Sequence, residues 1–191
     1  MKSGQSSRGF TLVEALVVVV LIGIVALAAV PLLSSQNPAK LDVAAAEVGN
    51  AMRFAIGEAE RINGCTWVDG SVPGHLEVWS SAGCATSGWA ALSDPLTKRA
   101  LDLDTSGPAF SGQVGMAVRF FVSGISTPYP QLLIYSPGIA LPGSHLQVYN
   151  GATPTTILVG PLGPGSGVVL TLGPQNVAVA INEITGLVTL P

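Results

Sequence analysis

One carboxylate interrupts the most apolar stretch of this 191-residue chain. Glu14 follows the sequence GFTLV at 9–13, and residues 15–33 after it carry no charge. An ionised side chain inside a bilayer helix costs on the order of a few kcal/mol, so such a residue usually has a partner and a function. Glu14 is therefore the first candidate functional residue.

A second group of oxygen-bearing side chains has the spacing of a calcium loop. Asp102, Asp104 and Ser106 occupy the first, third and fifth positions, and Gly107 the sixth. The twelfth position is Gln113 instead of the bidentate Glu that such loops use. We therefore expect a solvated turn here, with a calcium site as the alternative.

Other residues that could do chemistry lack the neighbours that the chemistry needs. His75 and His145 are the only histidines, and neither lies in a pattern of metal ligands, so we expect both on strand surfaces. No serine or cysteine motif supplies a nucleophile with an oriented base. The glycine-rich segment 160–167 lacks the Lys-Ser/Thr ending of a phosphate loop. The sequence predicts neither an enzyme nor a cofactor.

The two cysteines, Cys65 and Cys84, both follow the apolar segment. On the exported side of a membrane an oxidising environment favours a disulfide. This bond would close a loop of about 20 residues and raise the free energy of unfolding by about 3 kcal/mol in the chain-entropy model. Two buried free thiols are the alternative.

The element that positions Glu14 is predicted to be a membrane helix. Residues 15–33 approach the roughly 20 apolar residues that a spanning helix needs. Lys2 and Arg8 would also suit a secretory signal peptide, but the apolar core of such a peptide is about 7–15 residues and ends at small residues before the cut. Pro31 directly after AAV fits that cleavage pattern poorly, so a retained helix is favoured.

Composition predicts one exported globular domain beyond this helix. The residues that remain beyond the apolar segment are enough for one hydrophobic core but few for two. Charged residues make up only 10%, the net charge is −3, and glycine and proline number 23 and 14. These values favour short strands joined by turns. The sequence has no basic cluster that would favour nucleic-acid binding.

A second helix and a series of strands should build that domain. Asn37 as N-cap, Pro38 at the first turn and Asn63-Gly64 as the stop bound an amphipathic helix, in which Glu58 and Arg61 can pair. Alternation of apolar and polar residues then predicts strands at 65–68, 75–79, 114–122, 131–135, 145–149, 155–159, 168–172, 177–181 and 187–190. The expected fold class is α+β: a long N-terminal helix with a membrane half and an amphipathic half packed on an antiparallel sheet.

The N-terminus resembles the class III signal of type IV prepilins and type II secretion pseudopilins. The shared features are a short basic leader, the Gly9-Phe10 junction, Glu14 five residues into the mature chain, and Pro31 near its position 22. This resemblance implies that a prepilin peptidase cuts between Gly9 and Phe10 and that the new Phe10 amine is methylated. It also implies that the Glu14 carboxylate meets the Phe10 amine of a neighbouring subunit in the filament core.

The resemblance divides the chain into a leader at 1–9, a transmembrane and assembly helix at 10–33, an amphipathic continuation at 34–64 and a β-rich head at 65–191. Residues 47–63 and 177–190 are similar to the GspH/FimT group of minor pilins. Some members of that group bind DNA through arginines beside the terminal glycine. Here Leu187 follows Gly186 and the last arginine is Arg119, so we do not expect that activity.

Two classes of function remain. The first is a structural subunit of a type IV pilus or secretion pseudopilus, whose partners are the peptidase, other subunits and, before assembly, lipid of a bacterial inner membrane. The head would then be periplasmic or extracellular. The second is a binding module for adhesion or DNA uptake that presents exposed aromatic residues (Trp67, Trp79, Trp89 or Tyr129).

Overall fold

A computed structural model describes residues 12–33, 38–85, 87–107, 110, 112–139, 145–151 and 157–190. The chain divides into two compact units, Met1–Asn37 and Pro38–Pro191. The first unit contains helix α1, Leu12–Leu33, and the second contains helix α2, Ala39–Arg61, with all the strands. The second unit is called the head below.

Helix α2 is amphipathic, as its sequence predicts. Leu41, Val48 and Met52 lie on its buried face with five alanines, while Asp42 and Arg53 are exposed. Glu58 departs from the predicted polar face, because it is buried at the end of the apolar stripe. There it accepts hydrogen bonds from Arg61 Nε and Nη2, both at 2.6 Å, so the predicted pair forms.

The two ends of α2 are built differently. Pro38 occupies the N-cap position and its carbonyl accepts from the backbone N–H groups of Leu41 and Asp42. The predicted cap, Asn37, lies outside the described residues. At the other end Asn63 has a positive φ of 45°, and its N–H and that of Gly64 bond back to the carbonyls of Glu60 and Ala59. This is a Schellman motif, so the predicted stop at 63–64 is confirmed.

The strands of the head are all paired antiparallel in two sheets. They are β1 Cys65–Asp69, β2 His75–Ser81, β3 Ala90–Ala91, β4 Asp102–Asp104, β5 Gly115–Val122, β6 Ile125–Tyr129, β7 Gln131–Tyr135, β8 Leu146–Tyr149, β9 Leu158–Pro161, β10 Gly167–Leu172, β11 Gln175–Ile181 and β12 Val188–Thr189. The order is β3-β2-β1-β7-β8-β9 in a seven-stranded sheet, where β4 also pairs with β2, and β12-β11-β10-β5-β6 in a five-stranded sheet.

The main core lies where α2 meets both sheets. Met52 of α2, Ile134 of β7 and Phe120 of β5 all belong to one buried cluster. The glycine-rich segment 160–167 leads from β9 of the first sheet to β10 of the second, as a connector within the head. The predicted fold class, helices with antiparallel sheets in an α+β layout, is confirmed.

Candidate functional site

Helix α1 presents apolar side chains to its surroundings along its described length. Every side chain described in it, from 12 to 26, is exposed, and Leu12 is 82% exposed. Monomeric soluble proteins rarely expose contiguous apolar patches larger than a few hundred Å². Such a surface needs lipid or another chain to cover it.

Glu14 lies in the first turn of α1 with an exposed side chain. An acid at this end of a helix is favoured, because the unsatisfied backbone N–H groups there carry partial positive charge. The other two predicted residues of the processing and assembly site, Gly9 and Phe10, lie outside the described residues. Among the described residues, no helix meets the length and apolarity required to cross a membrane.

Cys65 and Cys84 form a disulfide, with Cα atoms 5.3 Å apart. The bond joins the first residue of β1 to the segment after β2, so the predicted bridge is present in the structure. Trp89 follows in the same segment and donates from Nε1 to the carbonyl of Ala85 at 2.7 Å. The disulfide thereby anchors this segment beside an aromatic cluster on the seven-stranded sheet.

That aromatic cluster lies on the sheet face opposite the main core. Trp67 alternates with Val68 along β1, and the two side chains enter different buried clusters. Trp67 is 1% exposed and meets Tyr149 edge-on at 5.6 Å between ring centroids. The hypothesis that Trp67 faces a ligand is wrong, because both faces of this sheet are covered here.

The remaining aromatic candidates are half-buried. Trp79 donates from Nε1 to Glu77, and Tyr129 packs on the main core. Within the cluster the hydroxyl groups of Tyr135 and Tyr149 lie 3.0 Å apart. Burial, reinforced by this hydrogen bond, raises the pKa of Tyr135 well above its usual value.

The expected turn at 102–107 is in part a strand. Asp102 and Asp104 belong to β4, which pairs with β2, and both carboxylates face His75. Their Oδ1 atoms lie 3.3 Å from Nδ1 and 3.5 Å from Nε2 of that histidine. Only residues after Asp104 turn, and the hydroxyl and backbone N–H of Ser106 both donate to Asp104. These bonds lower the pKa of Asp104.

This arrangement differs from a calcium loop, because the two acids project from an extended strand toward an imidazole. Across the described parts of the head and α1, no cluster of three or more His, Cys, Asp or Glu side chains could hold a metal ion. His145, the other histidine, is half-buried and directly precedes β8.

Two buried polar side chains that hold parts of the head together were not predicted from the sequence. Gln131 is buried and bonds through its amide nitrogen and oxygen to the backbone of Gly151, which fastens the segment after β8 to the sheet. Thr66 is buried on β1 and donates to the carbonyl of Ala55 in α2 at 2.9 Å. Both side chains look like ordinary strand residues in the sequence, and only their partners reveal the role.

Comparison with known proteins finds one family model, the prokaryotic N-terminal methylation motif, which matches residues 4–30. No curated protein and no solved structure matches the chain. The motif is a type IV pilin-like signal, and it overlaps most of α1. It points to a structural subunit of the pilin or pseudopilin class rather than an enzyme, and to anchoring in a membrane.

Proposed function

We propose that this chain is a minor pilin or pseudopilin, a structural subunit that enters a type IV pilus or a type II secretion pseudopilus. A prepilin peptidase cuts it between Gly9 and Phe10, and the exposed Phe10 amine is methylated. Residues 10–33 then hold the subunit in the inner membrane until they pack against other subunits in the filament.

The observation that carries this proposal is the continuity between the methylation motif and α1. The motif ends inside a helix whose described side chains, apart from Glu14, are apolar and exposed on all sides. A helix that is apolar all round is stable when apolar material surrounds it. Lipid before assembly and neighbouring helices after it both provide that surrounding.

Glu14 has a specific task in this proposal. In the filament its carboxylate pairs with the methylated Phe10 amine of the next subunit. Opposite charges attract strongly when water is excluded, whereas a buried carboxylate without its partner is penalised. The pair therefore favours one register between neighbouring subunits.

Within this class we place the chain in the GspH/FimT group, on the similarity of residues 47–63 and 177–190. The alternative role as a module for adhesion or DNA uptake has less support, since Trp67 is buried and Trp79 and Trp89 are half-buried. Calcium has no part in the proposal.

The mature N-terminus tests the proposal most directly. Mass spectrometry of the chain purified from bacterial membranes should find a first residue at Phe10 carrying one added methyl group. A chain that begins at Met1, or after residue 30, contradicts it.

A variant with a bulky residue at the cleavage junction provides the control. Gly9→Leu should leave an uncleaved precursor in the membrane, because the peptidase must accommodate the residue before the cut. Gly23→Leu, a matched change within α1, should be processed normally. Normal trimming of the Gly9→Leu chain would defeat the proposal.

A further inference from the structure

The head carries two grooves on opposite flanks of α2. The first lies between Glu47 and Phe54 of α2 and the apolar residues Leu101 and Leu103, with a volume of about 420 Å³. The second lies between α2 and the turn before β12 and also measures about 420 Å³. At 3.6 residues per turn, positions 47 and 54 share one flank of the helix, whereas 53 and 56 share the opposite flank.

A hydrogen-bonded turn on the first flank holds one leucine in solvent. Leu96 borders the first groove and is 90% exposed. The Asp94 carboxylate accepts hydrogen bonds from the backbone N–H groups of Leu96 and Thr97, at 2.6 and 3.1 Å. These hydrogen bonds restrain the backbone of the turn, so binding orders the leucine side chain more than the main chain.

The second groove is shallow, and its lining is largely apolar, so such an anchor can pack against it. Ile56, Gly186 and Leu187 form apolar walls, and Leu187 is itself exposed. Arg53 stands at its border and donates from Nη2 to the carbonyl of Val188 at 3.0 Å. Gly186 has a positive φ of 70°, which lets the backbone turn closely around the groove.

The charges on the two flanks are of opposite sign. Glu47 and Asp94 border the first flank, with Lys98 near Asp94 as a partial counter-charge. Hydrogen bonds from the backbone of Leu96 and Thr97 lower the pKa of Asp94 and keep it ionised, while partial burial raises the pKa of Glu47. Arg53 is the charged residue that lines the second groove.

We propose that the head binds a second copy of this chain through these flanks. Leu96 of one copy enters the Arg53–Leu187 groove of the next, and the acidic first flank faces Arg53. Because two different surfaces meet, the contact is heterologous and each copy keeps one free flank, so the contact can propagate along a row of copies. The inference goes beyond the proposed function, since it concerns the head alone and needs no methylated N-terminus.

Photo-crosslinking of the full chain in mild detergent tests the contact. The photo-reactive residue p-benzoylphenylalanine replaces Ile184, which is 76% exposed and lies beside the second groove. Copies grown with light and heavy nitrogen are mixed, so that mass spectrometry separates crosslinks between copies from those within one. We expect crosslinks between copies that land on residues 94–98 and weaken as salt screens the charges.

Substitution of the anchor supplies the matched variants. Leu96→Lys should lower the yield of this crosslink about tenfold, because it loses the buried side chain and places a cation against Arg53. Arg53→Glu in the otherwise unaltered chain should also lower the yield, because it turns an acid toward Glu47 and Asp94 of the neighbouring copy. Val72→Lys, at an exposed apolar residue between β1 and β2, should change nothing.

Thermal unfolding of each variant separates loss of contact from loss of fold. Crosslinks that map outside residues 94–98, or an undiminished yield with Leu96→Lys, would overturn the proposal. So would an undiminished yield with Arg53→Glu in a head that melts normally. A chain that crosslinks as expected yet starts at Met1 would retain this contact and lose the proposed filament function.

Discussion

The two helices of this chain are nearly equal in length, 22 residues in α1 and 23 in α2, but they meet their surroundings in opposite ways. The described side chains of α1 are all exposed. Apart from Glu14 they are all apolar, including those of its alanines. Helix α2 gathers most of its apolar side chains, though not the exposed Val43, in one stripe that is buried under two sheets. Length therefore says little about a helix, and the distribution of apolar side chains around it says which surface must cover it.

The largest difference between the two helices should appear when one acidic side chain is removed from each. Glu14→Val should spare processing but stop assembly, since the methylated amine of the neighbouring subunit would be left buried without its partner, at a cost of about 3–5 kcal/mol. Glu60→Val, at an exposed acid of α2, should assemble normally. Filament yield in cells measures both. Filaments formed at normal yield by Glu14→Val would remove the pairing role.

The burial contrast predicts different stability effects in the two helices. Met52→Ala should destabilise the head by about 2–5 kcal/mol, because Met52 is 0% exposed and its loss leaves a cavity. Leu16→Ala, at an exposed apolar residue of α1, should change head stability by no more than about 0.5 kcal/mol. Denaturant unfolding in detergent, followed by tryptophan fluorescence, compares them. Equal losses would mean that α1 is part of the same cooperative unit.

The disulfide belongs to the head, so its removal should lower the stability of the head. Cys65→Ala with Cys84→Ala should lower head stability by about 3 kcal/mol, the value expected when a bridge between residues 19 apart is lost. Reductant should destabilise the unaltered chain similarly and have no further effect on the variant. Calorimetry with and without reductant tests this expectation, which fails if the double variant melts like the parent chain.

The smallest expected effect concerns the link between α2 and β1. Thr66→Val keeps the shape of a buried side chain but removes the hydrogen bond to the carbonyl of Ala55. The loss should be about 1 kcal/mol. Ser80→Val, at a half-buried position of β2, serves as the comparison in the same unfolding assay. A more stable Thr66→Val head would show that this hydrogen bond does not hold α2 to the sheet.

Sequence periodicity predicted much of the head. Each predicted strand overlaps an observed one, and 131–135 matches β7 at both ends. The strands that were missed, β3, β4 and β6, are short or carry polar residues and Pro128, so their alternation is weak. Asp102 and Asp104 illustrate the limit, because β4 becomes a strand only through its pairing with β2, more than twenty residues earlier.

The sequence by itself determined the features that depend on neighbouring residues: the acid in an apolar run at Glu14, the stripe and stop of α2, and the alternation of most strands. Only the tertiary structure decided which faces are covered. Trp67 is buried because distant segments close over the second face of its sheet, and β1 lies beside β7 because the chain returns after more than sixty residues. The local spacing of apolar residues indicates which faces of a segment could be buried. Whether they are buried depends on segments that are remote in sequence.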